Sequence, residues 1–113
     1  MVNLVDVGTA MHTERSRMDE IIRFVAFLFM KKPDQISGRK RDAGIVLPRQ
    51  VAMYLLWDSQ EYTLEQIGKA LGGRKPATVG WGYQRVAKRI TKDDELRVLV
   101  AEIKNIIGKV GAN

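Results

Sequence analysis

Two adjacent glycines, Gly72 and Gly73, separate a short stretch of helical apolar spacing from Pro76, a residue suited to the first turn of a new helix. Ahead of the glycines, Leu64, Ile67, Ala70 and Leu71 fall on one helical face. Thr63 precedes them as an N-cap candidate, and Gln66 stands where a capping-box partner belongs. Gly72 is the expected left-handed residue that closes this helix. Beyond Pro76, Val79, Tyr83, Val86 and Ile90 recur at spacings of 4, 3 and 4, a stripe that a helix buries. Two helices joined by so tight a turn must cross steeply, which is the helix-turn-helix pattern.

The rest of the chain reads as helix too. From Met18, Ile21, Phe24, Val25, Leu28 and Phe29 keep helical spacing, with Asp19 and Glu20 at the favourable end of the helix dipole. Pro33 is expected to stop this helix after Lys31 and Lys32, and residues 36–45 are expected to be a connecting segment. The next helix is expected to start near Pro48 and to end about Trp57, with Trp57 as a packing residue. Residues 58–62 read as a polar connection. Thr91 and Asp93 or Asp94 start a last helix with Leu96, Leu99, Val100, Ile103, Ile106 and Ile107 on its apolar face, ended by Gly108 and Gly111. No segment alternates as a strand does. The fold class expected is therefore all-α, a compact orthogonal bundle of about five helices, over residues 18–113. Residues 1–17 show no clean period and are expected to be a leader or linker.

Charge narrows the partners. The net charge is +6 over 113 residues, and between Lys31 and Lys92 thirteen basic side chains meet five acidic ones. That surplus suits a polyanion, either nucleic acid or an anionic membrane surface. There is no cysteine, and the one histidine is His12, so a Cys/His zinc site is excluded. The longest apolar run, residues 24–30, is too short to span a bilayer. No paired carboxylates or nucleophile–base set stand at working spacing, so neither an enzyme nor a cofactor or small-molecule substrate is expected. A cytoplasmic, nucleoid-associated location is the expectation that follows.

In a helix-turn-helix the second helix offers its N-terminal residues to base edges in the major groove. Here these are Lys75, Ala77, Thr78 and Trp81, all off the buried stripe. Thr78 offers a hydroxyl and a methyl, Ala77 a close apolar approach, and Lys75 a reach to guanine or phosphate. Arg74, at the turn, is expected to face phosphates. Gly80 and Gly82 weaken the helix and are expected to permit close packing against DNA or a neighbouring helix. Arg39, Lys40 and Arg41 form a glycine-flanked basic loop suited to a phosphate ridge or a narrow minor groove. Arg49 and Gln50 are phosphate donors by the same reasoning. The competing reading is a protein-interaction or anionic-membrane module that keeps the scaffold without reading bases, drawing on the apolar helix through residues 21–30.

The runs Pro48-Arg-Gln-Val-Ala-Met-Tyr-Leu-Leu and Thr63-Leu-Glu-Gln-Ile-Gly-Lys-Ala-Leu-Gly-Gly-Arg, followed by Thr78-Val, carry a resemblance. They resemble the C-terminal DNA-binding domain of the bacterial chromosomal replication initiator family, DnaA, from about residue 18 to 109. Similar domains also end some transposase-like proteins. The resemblance implies a Trp-repressor-like helical fold with duplex DNA as partner, and other domains as partners if the chain is a fragment. It implies that the helix-turn-helix reads the major groove and that an arginine of the loop, here Arg41 with Arg39 and Lys40 beside it, reads the minor groove. It matches Arg49 and Gln50 to backbone-contacting positions and Arg74 to the signature arginine. Lys75, Pro76, Ala77 and Thr78 fall where the family usually has Asp, His, Thr and Thr, so three of the four reading positions differ. A different target site is expected. No Gly-x-x-x-x-Gly-Lys-Ser/Thr run is present, so the family's nucleotide-binding machinery is not in this sequence.

Overall fold

The computed structural model describes residues 14–111; residues 1–13, with His12 and most of the expected leader, and residues 112–113 lie outside the described residues. Six helices follow one another: α1 (Glu14–Leu28), α2 (Pro33–Ser37), α3 (Ala43–Asp58), α4 (Leu64–Ala70), α5 (Pro76–Arg89) and α6 (Asp94–Gly111). Among the described residues there is no strand. No helix among the described residues is long and apolar enough to cross a membrane.

α3 is the hub. Its residues 51–56 are all buried, which is why its sequence reads as a continuous apolar run rather than a stripe. The helix packs most extensively against α5, and also touches α1, α2, α4 and α6. Val25 of α1, Ile36 of α2, Val51 and Leu56 of α3, Ile67 of α4, Val79 and Val86 of α5 and Ile103 of α6 close the core around it. Burying side chains of this size stabilises each by about 1.5–3 kcal/mol.

Several boundaries differ from expectation, each for a physical reason. α1 already includes Glu14–Arg17 and ends at Leu28, before the lysines. Met30 takes a left-handed conformation (φ 56°), and the Lys31 N–H donates to the Ala26 carbonyl at 2.7 Å, turning the chain early. The segment expected as a plain connection contains α2, where Pro33 takes the first helical position and Ile36 is fully buried. The Lys32 N–H donates to Gln35 Oε1 at 2.8 Å to close that turn. α3 begins at Ala43, not Pro48, so the proline lies inside the helix. The carbonyl that loses its i+4 donor belongs to Gly44, which is exposed and open to water. The early start also holds Ile45 in the core at 3% exposure.

α6 runs through Gly108 to Gly111, so only the second of those glycines coincides with its end. Leu96, Val100 and Ile103 are buried as expected, but Ile106 is exposed. Lys104 ties α6 to α3, bonding Asp58 at 2.8 Å and the Tyr54 hydroxyl at 3.3 Å. Trp57, expected as packing, sits at the rim with 36% of its surface in solvent.

Candidate nucleic-acid interface

The turn between α4 and α5 is built as its residues dictate. Thr63 Oγ1 accepts from the Gln66 N–H at 3.0 Å, and Gln66 Oε1 accepts from the Thr63 N–H at 2.8 Å, a complete capping box. Gly72 and Gly73 both lie in the left-handed region, at φ 77° and 81°. A Cβ on Gly72 would in addition strike the Ser37 carbonyl oxygen, because the basic loop after α2 runs directly over the turn. The N–H groups of Gly73 and Arg74 both donate to the Gly68 carbonyl, at 3.0 and 2.9 Å, and finish the end of α4.

Arginines join the loop to this turn. Arg74 Nη1 donates to the carbonyls of Leu71 (2.6 Å) and Ser37 (3.3 Å), and its Nη2 donates to the Gly38 carbonyl. Arg39 returns the contact, donating to the Gly72 carbonyl at 3.4 Å. Beneath them Arg49 is 5% exposed. Its guanidinium donates to the carbonyls of Ile36 (2.7 Å), Lys40 (2.8 Å) and Gln35 (2.9 Å). Three carbonyls held by one planar group need the fork of arginine, which an ammonium lacks.

Two of the expected phosphate donors lie against the protein's own backbone. Arg49 was expected to donate to phosphate, yet it lies under the loop with its fork spent on backbone carbonyls. Arg74 was expected to face phosphates, yet it is half-buried and clamps the loop. The side chains at the tip of the loop are placed differently: Lys40 and Arg41 are exposed, and neither side chain has a hydrogen-bond or ion-pair partner among the described residues. Gln50 is half-buried beside Gly82 of α5.

The cluster is electrostatically unrelieved. Burial first, and then the neighbouring Arg74, bring the Arg49 guanidinium down to about 10. Arg74 is lowered by burial, then by Arg39 and Arg41. Among the described residues no carboxylate bridges to Arg39, Arg41, Arg49 or Arg74.

α5 leaves this cluster with Lys75 as its N-cap and Pro76 at its first position. Lys75, Ala77 and Thr78 are exposed, and the Lys75 side chain makes no capping bond. Val79, Gly82 and Val86 are buried as expected, and Tyr83 stacks on Tyr54 of α3 with centroids 5.0 Å apart. A Cβ on Gly82 would meet Met53 Sδ, so this glycine serves the packing of α5 on α3 rather than an approach to DNA. Trp81 is 57% exposed, and the Arg85 guanidinium carbon stands 4.7 Å from the centre of its ring. Arg85 escaped the sequence reading; its i+4 spacing from Trp81, on the face opposite the apolar stripe, was the available signal.

The sequence profile of the bacterial dnaA protein helix-turn-helix matches residues 18–86. The chain is 36% identical over 104 residues to the chromosomal replication initiator protein DnaA of Chloroflexus aurantiacus, covering 92% of this chain and 22% of that protein. It is 38% identical over 108 residues to the DnaA protein of Roseiflexus castenholzii, covering 88% of this chain and 22% of that one. The chain thus spans about a fifth of the length of these initiators. A crystal structure of a DNA replication initiation factor superposes with a TM-score of 0.76 at 23% identity, over 89% of this chain and 31% of the other, which shows a shared fold. With the profile covering well over half its length, the chain belongs to the bacterial DnaA helix-turn-helix family.

Proposed function

We propose that this chain binds double-stranded DNA sequence-specifically, with α5 in the major groove and the loop of Arg39, Lys40 and Arg41 in or beside the adjacent minor groove. The observation that carries the reading is the arginine clamp. It anchors the loop against the turn that starts α5, so two cationic elements far apart in sequence form one preset surface. A surface prearranged before binding loses less entropy when the complex forms. Lys75, Ala77, Thr78 and Trp81 contact bases from α5, and Arg41 enters the minor groove. Arg39, Lys40 and Gln50 lie along the backbone, while Arg49 and Arg74 position the loop.

The preferred site differs from the one read by the family's usual Asp-His-Thr-Thr signature. Lys75 donates where an aspartate accepts, and Pro76 has no polar side chain. A mismatched base pair costs about 1–3 kcal/mol, enough to shift the preferred sequence. Selection from a random duplex library at physiological salt tests both parts. An enriched motif, distinct from the site of a relative with the usual signature, is expected; no enriched motif would overturn the proposal.

One observation favours the second reading. Phe27, in the last turn of α1, and Met30, in the turn after it, are 74% and 90% exposed, an apolar pair suited to a protein or an anionic membrane surface. Co-sedimentation with anionic vesicles that competing duplex does not reduce would support that role.

A further inference from the structure

The outward face of α5 continues past its first turn. Thr78, Trp81, Arg85 and Lys88 follow at spacings of 3, 4 and 3 and are all exposed. The helix contains no aspartate or glutamate. Trp81 keeps more than half of its indole in solvent although α5 has a well-filled buried stripe on its other side. Four other arginines or lysines of this chain at i,i+3 or i,i+4 spacing are spent on carboxylates: Arg15 on Asp19, Lys69 on Glu65, Arg89 on Asp93 and Arg97 on Asp94. Arg85 has no such partner among the described residues; it lies instead over the Trp81 ring.

The Arg85 guanidinium carbon lies 4.7 Å from the centre of the indole, and none of its five N–H donors, set in a fixed fork, is spent on a carboxylate among the described residues. Such a fork matches guanine O6 and N7 in the major groove, while the apolar indole suits a thymine methyl. We infer that Trp81 and Arg85 act as one composite reading element, in which the ring orients Arg85 to read a guanine and itself contacts a neighbouring thymine. The inference rests on the DNA-binding reading above. It makes Arg85 a specificity-determining residue. The rise from Thr78 to Arg85 is roughly 10 Å along the helix. A helix lying along the groove therefore sets this guanine about three base pairs from the pair read by Thr78.

The test is random-duplex selection with the full chain and the variants Arg85→Ala, Arg85→Lys, Trp81→Phe and Trp81→Ala. All four substitutions are on an exposed face, and melting curves matching the parent confirm that the variants fold. The parent motif is expected to contain one guanine whose preference, about ten- to a hundred-fold, disappears in both Arg85 variants while the rest of the motif stays. Lysine keeps the charge but lacks the fork, so its failure to restore the guanine separates base reading from charge alone. Trp81→Ala is expected to weaken that guanine and the adjacent thymine together, and Trp81→Phe to keep both. If both Arg85 variants keep the parent motif and Arg85→Ala only lowers the salt dependence by about one phosphate contact, the inference is overturned and the DNA-binding reading stands. If the parent itself enriches nothing, that reading fails and takes the inference with it.

Discussion

Arg49 and Arg85 belong to two helices that pack on each other, α3 and α5, yet their surroundings are opposite. Arg49 is buried and gives its fork to three backbone carbonyls of the loop. Arg85 is exposed, and its guanidinium lies over an aromatic ring with no carboxylate partner among the described residues. The first kind of cation holds the protein's shape, because carbonyls left without a donor are costly to bury. The second kind is held in a set orientation but not consumed, which suits an external anion or acceptor. The proposed interface therefore divides into two regions: a loop–turn junction whose cations are spent on backbone carbonyls, and an outward helix face whose donors are not spent on carboxylates among the described residues. Net charge counts both alike; only the hydrogen-bond partners tell them apart.

Substitutions at the junction should break the contrast most visibly. Arg49→Ala leaves three carbonyls without their donor and is expected to cost about 2–4 kcal/mol of stability, read by chemical denaturation without DNA. A loss below about 0.5 kcal/mol would mean the clamp is not structural. Gly72→Ala forces a Cβ into the left-handed region and against the Ser37 carbonyl. Its expected cost is about 1–3 kcal/mol, with the unfolding midpoint as the measurement.

On the outward side, Arg41→Ala is expected to leave stability within about 0.5 kcal/mol. Its specific complex should weaken roughly ten-fold, about 1.4 kcal/mol, in a titration against the selected duplex. A variant that unfolds would instead move Arg41 into the structural class. The smallest effect concerns Arg89, the cation of α5 that is spent on a carboxylate. Asp93 accepts from the Leu96 N–H at 3.0 Å and from Arg89 at 3.3 Å, and that backbone bond above all lowers its carboxyl below the ordinary 3.8. Its contribution is present above the unfolded value and lost as pH falls through the lower folded one. Asp93→Asn should lower stability slightly near neutrality and converge with the parent below about pH 4, so that its profile is flatter on the acid side, which a pH series of thermal melts would show.

Much of this was legible along the chain, where the determinants are local. The capping box at Thr63 and Gln66, the left-handed Gly72, the proline start of α5 and the stripe of Val79, Tyr83 and Val86 all lie within a few residues of their partners. They are as expected because a turn or cap is decided by nearby backbone geometry. The start of α3 was misplaced because Gly44 is a poor helix former and Pro48 reads as a first-turn residue, local signals overridden by the burial of Ile45. α2 was missed because five residues give too little pattern. Within the interface, the exposure of Lys75, Ala77, Thr78 and Trp81 followed from their phase against the apolar stripe. The positions of Arg49 and Arg74 did not.

The sequence by itself determined the helical class, the turn that defines the reading unit, the family and the concentration of positive charge. Each depends on residue order over short spans. Only the tertiary structure decided which basic side chains remain available. The Ile36, Gly38 and Lys40 carbonyls that engage Arg49 and Arg74 come from a segment 9 to 36 positions away in the chain. No local pattern specifies such a meeting, because it exists only once α2, α3 and the α4–α5 turn have packed around one core.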